Sequence, residues 1–255
     1  MSSRFTRPFL SIVVPAYNEE ERLVLSLAKI ASYVDTGGID AEILVVDDGS
    51  KDRTAELAAK ALAGRRGRVI ANGENRGKGY SVRHGVLEAR GRFVLLTDAD
   101  LSTPIEEHAR LAQEIRDRDL DVVIGSRALP NSKVQVRQGW LRQMMGRSFN
   151  LIIRASTGLP FRDTQCGFKL MDRERVKPLF EKMVVDGFAF DVELLFLCAR
   201  FGLSVADVPI TWRNATGSKV SMVGDPLHMI ADVLRVRWRF RRGLYNPEGV
   251  AADAS

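Results

Sequence analysis

The sequence predicts a single α/β domain built on a mostly parallel sheet flanked by helices. Three observations support this fold class. Short apolar runs alternate with segments of helical character through the first half of the chain, which is typical of βαβ units. Acidic residues follow directly after several of the apolar runs, where open parallel sheets bind their ligands. The length of 255 residues is enough for one large domain with a substantial core.

The first half of the chain is the more regular half. Short, nearly continuous apolar runs indicate strands that are buried on both faces. Ser50 is expected to cap the second helix, and Thr103, Pro104 and Glu106 form a capping box for the fourth. The predicted strands are 9–15, 41–46, 68–71, the run from Val94 before Asp98, and 121–124, and the helices are 19–33, 50–64, 79–90 and 103–117.

The second half is less regular, and its elements are predicted from local turn and helix signals. A basic segment, 223–246, follows the α/β domain of residues 1–222, and residues 247–255 form a frayed tail. The predicted elements are a polar stretch 131–139, a helix-like stretch 140–157, a turn at 163–170 that leads into a short strand, a helix opening at 187–193 and ending near Arg200, a strand 203–212, a loop 213–219 and a final segment 226–242.

Composition narrows the class of partner. The net charge of +6 suits an anion, which includes a nucleotide, a lipid phosphate, a membrane surface or a nucleic acid. Two cysteines, Cys166 and Cys198, lie in no pairing motif and are expected to be reduced packing residues. We expect no transmembrane helix and no secretory leader. His84, His108 and His228 are scattered and are not expected to bind a metal.

Asp98 and Asp100 leave one apolar strand together. Two buried charges need a partner, and a divalent cation shared with phosphate oxygens is how proteins usually hold Mg²⁺. The alternative is a pair of solvated loop carboxylates, with Asp100 helping to cap the next helix. The loop 73–79 is not a P-loop, because its glycine spacing is wrong and Gly79 stands where Ser or Thr should be. No dinucleotide-binding glycine motif follows the first strand either.

The ordered motifs resemble those of glycosyltransferase family 2, which has the GT-A fold. The resemblance covers about residues 8–222 and is most similar to the branch that transfers sugars to dolichyl or polyprenyl phosphate. Ser102 stands where phosphomannose synthases usually carry Gln, so the sequence around it looks more like the glucosyltransferase members. The motifs are Pro-x-Tyr-Asn-Glu at 15–19, Asp-Asp-Gly-Ser at 47–50, Asp-x-Asp at 98–100, Gly-Ser-Arg at 125–127, Asp-Thr-Gln-Cys-Gly-Phe-Lys at 163–169, Phe-Asp-x-Glu at 190–193, and Arg213 with Ser218 and Lys219.

The resemblance implies a role for individual positions. It implies Mg²⁺ or Mn²⁺ held by Asp98, Asp100 and Ser102. It implies Arg127 and Arg142 as ligands of the acceptor phosphate, and a loop with Arg213, Ser218 and Lys219 that closes over the donor diphosphate. The nucleotide-sugar positions are Pro15, Tyr17, Glu19, Asp47, Asp48, Lys78, Asp98, Ala99 and Asp100, and the catalytic positions are Asp100, Asp191 and Arg127.

Asp191 has three interpretations. A hydroxyl acceptor would need it as general base, whereas a phosphate monoester has a second pKa near ~6 and is already nucleophilic at neutral pH. With a lipid phosphate, Asp191 would instead position the sugar or a basic residue. The structural alternative is that Asp191 caps the helix that begins near it.

The final segment combines arginines with apolar residues. Strict alternation near its end fits a strand, whereas Leu227, Ile230, Leu234 and Trp238 fit one face of a helix. This composition suits either an anionic membrane surface or a helix packed on the domain with solvated arginines. The chain is therefore expected to be peripheral at the cytoplasmic face of a membrane.

The sequence predicts an inverting enzyme that transfers a hexose, glucose from UDP-glucose, to polyprenyl or dolichyl phosphate. One rival uses GDP-mannose or a hydroxyl acceptor in a glycan or glycolipid. Another is a non-catalytic module that binds a nucleotide sugar or nucleic acid, although no nucleic-acid partner is expected. The base, the sugar, the lipid and the oligomeric state stay open.

Overall fold

The computed structural model describes residues 8–134, 153–213 and 224–246. A seven-stranded sheet has the order β3-β2-β1-β4-β7-β5-β8, and a two-stranded sheet pairs β6 with β9. The predicted mostly parallel α/β fold is confirmed. The strands are β1 (Leu10–Ala16), β2 (Ala41–Asp47), β3 (Gly67–Ala71), β4 (Phe93–Leu96), β5 (Val122–Ser126), β6 (Lys133–Val134), β7 (Lys169–Asp172), β8 (Val205–Pro209) and β9 (Thr211–Trp212).

Helices cover both faces of the large sheet. Its central strands are therefore apolar along most of their length, and apolar residues of β1, β2 and β4 are divided between two core clusters, one on each face. The helices include α1 (Leu23–Thr36), α2 (Thr54–Ala61), α3 (Lys78–Glu88), α4 (His108–Arg118), α5 (Arg173–Lys182), α6 (Phe190–Arg200) and α7 (Gly224–Arg241).

Strand β7 is the exception to the parallel arrangement. It lies between β4 and β5 and runs antiparallel to both, with Leu95 opposite Leu170 and Val123 opposite the same residue. Its first residue, Lys169, consequently lies at the edge where β4 and β5 end. The turn that leads into β7 is thereby brought to the carboxyl edge of its neighbours.

The predicted strand 203–212 is divided into two. Strand β8 pairs with β5 up to Pro209, and β9 then pairs with β6 in the second sheet. Between them, the N–H of Ile210 donates to the carbonyl of Ser126, and its own carbonyl accepts from Lys133. The chain therefore changes sheets at Ile210. Its partner strand β6 lies in the stretch 131–139, which was predicted only as polar.

The predicted helix caps are wrong at two places. Thr103 caps no helix, because Pro104 is extended (ψ 140°) and a 3₁₀ turn, Ile105–Glu107, precedes α4 without a side-chain cap. The hydroxyl of Ser50 accepts from the N–H of Asn18 instead of capping α2. Capping signals also occur in ordinary turns, and Ser50 serves here in a tertiary contact.

The final segment is a helix, and strand pairing there is excluded. Met229, Val233 and Val236 of α7 are buried against the domain. The face predicted to be apolar is the outward one, with Leu234 57% and Trp238 53% exposed. Among residues 8–134, 153–213 and 224–246, no helix is long and apolar enough to cross a membrane.

Candidate active site at the carboxyl edge of the sheet

The site-forming residues converge because of the sheet topology. Strands β1, β2, β4 and β5 all run in one direction, so their carboxyl ends share an edge. Tyr17, Asp48, Asp98 and Arg127 lie one or two residues beyond those ends. Strand β7 contributes Lys169 to the same edge from its amino end.

Asp48 is buried and is held by neutral donors. Its Oδ1 accepts from the N–H of Arg76 (3.0 Å) and from Nδ2 of Asn72 (2.8 Å), and its Oδ2 accepts from the N–H of Gly77 (2.9 Å). Both carboxylate oxygens therefore fix the glycine loop that precedes Lys78.

The loop after β1 is tied to the loop after β2. Asn18 adopts a left-handed backbone (φ 50°), and its N–H donates to Ser50 Oγ at 2.9 Å. Its side-chain oxygen accepts from the N–H of Lys51 at 2.8 Å, while the Asp47 carboxylate accepts from the N–H of Ser50. In these two joined loops Tyr17 is half-buried and Asp47 is buried.

Glu19 lies at the start of the first crossover and is engaged by a cation. Its two carboxylate oxygens accept from Nε and Nη2 of Arg22. This pair, followed by the fields of Asp98 and Asp100, raises the pKa of Arg22 although burial lowers it. Pro15, the remaining predicted position of this loop, lies within β1 opposite Val46.

The loop that carries Asp98 and Asp100 is a tight turn. The N–H of Leu101 (φ 46°) donates to the carbonyl of Asp98 at 3.1 Å. Oδ1 of Asp100 accepts from the N–H of Ser102 at 2.8 Å. Ala99 is buried in the turn, whereas both aspartates are half-exposed. Buried Ala99 thus anchors the turn while both carboxylates reach solvent.

Lys78 lies against the first of these carboxylates. Its Nζ donates to Oδ1 of Asp98 at 2.6 Å. Burial alone would raise the pKa of Asp98, but the ammonium of Lys78 and its hydrogen bond outweigh it, so the pKa lies below the usual range. The backbone of Gly167 closes the other side, because a Cβ there would overlap the Asp98 carboxylate.

These residues fit a hard divalent cation. Asp98 and Asp100 supply carboxylate oxygens and Ser102 supplies a hydroxyl, which are the ligands that Mg²⁺ and Mn²⁺ prefer. Gly167 leaves the Asp98 carboxylate room that any larger residue would fill. Across the described residues no three His, Cys, Asp or Glu side chains form a closed cage. Two carboxylates with substrate phosphates completing the coordination are a usual arrangement for Mg²⁺.

Arg127 and Asp163 form a bidentate pair at the end of β5. The carboxylate of Asp163 accepts from Nε and Nη2 of Arg127, both at 2.7 Å, and from the N–H of Arg127 at 2.9 Å. Burial would raise the pKa of Asp163, but the guanidinium outweighs burial and lowers it. The indole of Trp212 lies 5.6 Å from the guanidinium carbon.

Asp191 is paired with a buried lysine. Nζ of Lys169 donates to the Asp191 carboxylate and to the carbonyl of Cys166, and the side chains are 0% and 4% exposed. Burial raises the pKa of Asp191 despite the attraction of Lys169 and Lys78. Helix α6 starts at Phe190 without a side-chain cap, which excludes capping as the role of Asp191.

Arg213 follows β9 and lies beside the loop that carries Asp98 and Asp100. Its N–H donates to the carbonyl of Ser102 at 2.7 Å. Arg142, Ser218 and Lys219 lie outside the described residues, so their predicted roles stay predictions.

The structure adds residues that the sequence analysis assigned no role. Asp163, Gly167 and Lys169 belong to the segment 163–169, which contacts Arg127, Asp98 and Asp191 respectively. The family motif at 163–169 indicated that this segment belongs to the site, but it did not indicate which residues the segment would contact. Asn72 gave no signal beyond its place before a glycine loop.

Comparisons with known proteins agree with this geometry. The family model described as "Glycosyl transferase family 2" matches residues 11–180. The dolichyl-phosphate beta-glucosyltransferase of Homo sapiens is 33% identical over 252 residues, which cover 94% of this chain and 78% of that protein. The protein of the same name from Saccharomyces cerevisiae is 33% identical over 255 residues, covering 93% and 76%.

Solved structures give the same fold. A glucosyl-3-phosphoglycerate synthase from Mycobacterium tuberculosis, in complex with Mn²⁺, UDP-glucose and phosphoglyceric acid, superposes with a TM-score of 0.70 at 22% identity, covering 90% of this chain and 79% of that one. Its complex with Mg²⁺ and UDP has the same TM-score at 21% identity, with the same coverage. The predicted resemblance is confirmed, and this chain is a member of glycosyl transferase family 2.

Proposed function

We propose that the chain transfers glucose from UDP-glucose to a polyprenyl or dolichyl phosphate, with inversion at the anomeric carbon. The observation that carries the proposal is one sheet edge with Asp48, the Lys78–Asp98 pair and Arg127 along it. Relatives named dolichyl-phosphate beta-glucosyltransferase, matching over more than nine-tenths of the chain, support the donor sugar and the acceptor.

The donor lies along the edge from β2 towards β4. Asp48 and Asp47 suit the N–H and hydroxyl groups of a nucleoside, and Tyr17 offers a ring for the base. Lys78 is the cation next to the diphosphate position. Asp98, Asp100 and Ser102 would hold Mg²⁺ or Mn²⁺, which would neutralise charge on the departing diphosphate.

The acceptor approaches from the β5 side. Arg127 orients its phosphate, since a planar guanidinium matches phosphate oxygens. A phosphate oxygen forms the new bond to the anomeric carbon as the bond to UDP breaks on the opposite face. A dianionic phosphate carries no proton that must be removed first.

Asp191 is therefore a positioning residue in this proposal. Its carboxylate already accepts from buried Lys169, which balances its charge. A carboxylate held in this way is suited to orienting the sugar. Asp191→Asn should keep appreciable rate with a lipid phosphate, with folding checked by thermal melting, whereas near-complete loss would indicate a hydroxyl acceptor and a general base.

A transfer assay tests the reaction. Purified protein, Mg²⁺ or Mn²⁺ and polyprenyl phosphate are incubated separately with labelled UDP-glucose and GDP-mannose, and label in the organic phase is counted. We expect label from UDP-glucose. Label from GDP-mannose would refute the donor, and binding of UDP-glucose without transfer to the lipid would refute the acceptor.

We further propose that the outward face of α7 docks on an anionic membrane, at the cytoplasmic face, where the acceptor is embedded. Leu234 and Trp238 are more than half exposed, and the Arg242 guanidinium lies 5.1 Å from the Trp238 ring. Exposed apolar and arginine side chains together suit the lipid headgroup region. The inward residue Met229 contacts Gln165 (3.7 Å) in the segment that forms the acceptor side of the site.

Vesicle sedimentation tests the docking surface. Leu234→Ser with Trp238→Ser should release the protein from vesicles that contain anionic phospholipid. Leu25→Ser is the matched control, because Leu25 is 67% exposed on α1, away from α7. Equal binding of both variants, or equal binding to purely zwitterionic vesicles, would refute this surface.

A further inference from the structure

We propose that Asp163 is a positioning residue for the acceptor, because it fixes the edge of Arg127 that faces the phosphate. The inference rests on the proposed function, in which Arg127 binds the acceptor phosphate. Asp163 was not assigned a role by its sequence, and it lies 36 residues from Arg127 along the chain.

The hydrogen bonds divide the guanidinium into a used edge and an available edge. Asp163 accepts from Nε and Nη2 of Arg127. A guanidinium has five N–H donors, so both N–H groups of Nη1 and one of Nη2 remain. Among the described residues, these three donors have no hydrogen-bond acceptor. They form a second edge with the geometry that a phosphate matches with two parallel bonds.

Asp163 also fixes the backbone that carries this side chain. The same carboxylate oxygen that binds Nε accepts from the N–H of Arg127 at 2.9 Å. The Asp163 side chain is 3% exposed, so its three bonds are shielded from water. The guanidinium carbon lies over the Trp212 ring, 5.6 Å from its centroid. The main chain of Arg127 and the guanidinium, whose N–H groups form a fork, are thus both fixed before a ligand arrives.

Arg127 lies near the loop that carries Asp98, because it follows β5 at the edge of the sheet where β4 and β5 both end. Gly167, four residues after Asp163, abuts Asp98 directly. A small rotation of the guanidinium would therefore move the phosphate relative to the donor, and misplacement by about 1 Å can cost a hundredfold in rate.

Charge and geometry predict opposite effects, which makes the proposal testable. Asp163 cancels the positive charge of Arg127. If Arg127 acted by charge alone, removal of the Asp163 carboxylate would strengthen acceptor binding. If Asp163 acts by fixing the fork, its removal weakens acceptor binding although the net positive charge rises.

The experiment compares Asp163→Asn with Asp121→Asn. Asp121 lies at the opposite end of β5 and likewise accepts from a main-chain N–H, a hydroxyl and an arginine Nε, those of Ser204 and Arg175. With polyprenyl phosphate and UDP-glucose as substrates, we expect Asp163→Asn to raise the KM for the lipid about tenfold or more and to change the KM for UDP-glucose less than about twofold. Asp121→Asn should lower Tm and leave both KM values unchanged.

Asp163→Glu keeps the charge pair if Asp163→Asn is too unstable to assay. Its extra methylene displaces the fork, so the KM for the lipid should rise here as well. An Asp163 variant in which this KM falls or stays as in Asp121→Asn would overturn the proposal. So would equal increases in both KM values.

Arg127→Met separates this inference from the proposed function. An unchanged lipid KM in Arg127→Met would overturn the role of Arg127 itself. If Arg127→Met raises that KM, adding Asp163→Asn in the same chain should raise it no further, because Asp163 acts through Arg127. A further increase in the double variant would overturn the positioning role alone.

Discussion

The carboxylate that follows β2 and three carboxylates at the β4–β7–β5 end of the same sheet edge are held in different ways. At the β1–β2 end, Asp48 accepts from two main-chain N–H groups and an amide. At the β4–β7–β5 end, each of three carboxylates meets a cationic side chain. These pairs are Asp98 with Lys78, Asp163 with Arg127, and Asp191 with Lys169.

This difference indicates which contacts stay fixed and which can rearrange when a ligand binds. Main-chain donors are fixed by the fold. A carboxylate that they hold is therefore suited to recognising a group that does not change during the reaction, such as a nucleoside. Ion pairs can exchange a partner, but only where both members reach the ligand. Lys78 and Asp98 are 27% and 37% exposed, whereas Lys169 and Asp191 are 0% and 4% exposed. We infer that the Lys78–Asp98 pair adjusts to the ligand and that the Lys169–Asp191 pair does not.

The largest expected effect is on Asp100→Ala, at the junction of the two ends. Its described contact is one hydrogen bond from the N–H of Ser102, so the protein should stay folded. Transfer should fall about a thousandfold or more, because charge on the departing diphosphate loses its stabilisation. Calorimetric titration with Mn²⁺ should show weakened metal binding. Asp117→Ala on the exposed face of α4 is the control, and full activity in Asp100→Ala would refute the metal assignment.

Lys169→Met tests the fixed pair. Removing one member of a buried pair should lower the free energy of unfolding by about 3–5 kcal/mol, because the charge of Asp191 is left unpaired. Adding Asp191→Leu should restore most of this stability without restoring transfer. Chemical denaturation measures the free energy of unfolding of both variants, and the transfer assay measures their activity.

The matched control for that pair is Arg65→Met, which breaks the exposed pair with Asp35 and should cost less than about 1 kcal/mol. A similar small loss in Lys169→Met would mean that the buried pair is not a fixed element of the site.

Asp48→Asn tests the main-chain cradle. The amide of Asn has only one oxygen, so the N–H of Gly77 or of Arg76 loses its acceptor. We expect the KM for UDP-glucose to rise about tenfold while the KM for the lipid stays unchanged. Asp52→Asn, in the same loop, is the control. Equal increases in both KM values would remove the proposed division between the two ends.

The smallest effect concerns His108, which belongs to neither end. Burial, with a smaller effect of Arg116, lowers the pKa of His108 to about 4. The unfolded chain therefore binds more protons than the folded protein between pH 6.5 and about 4. Stability should decrease as the pH falls through this window, by at most about 1.4 kcal/mol per pH unit.

His108→Gln should flatten that slope and leave the pH dependence of the site pairs at lower pH. Urea unfolding at a series of pH values checks this. An unchanged slope would assign the acid sensitivity to other groups.

The sequence predicted the edge of the sheet better than the network along it. An apolar run followed by an aspartate identifies a strand and its carboxyl end, so Asp48, Asp98 and Asp100 could be placed together. The partners could not, because Lys78 and Asp98 are 20 residues apart and Lys169 and Asp191 are 22 apart. Nothing in a local pattern fixes such pairings.

Errors arose where one residue type serves two purposes. Thr103 and Ser50 are residue types that cap helices, but Ser50 makes a tertiary contact instead and Thr103 is followed by an extended Pro104. The direction of β7 was likewise unpredictable, since a strand of four residues, Lys169–Asp172, carries no signal of its orientation. Yet that direction determines which of its ends joins the site.

The central place of β7 in the sheet also affects the order in which the site can form during synthesis of the chain. The loop with Asp98 leaves the ribosome 69 residues before Gly167, which supports it. At ordinary rates of translation this interval is roughly 3 to 14 seconds. During that time β4 lacks one of its two neighbours, because β7 has yet to be made. The main-chain donors around Asp48 can assemble early on the nascent chain. The β4–β7–β5 end is completed only after β7 has folded back into the centre of the sheet.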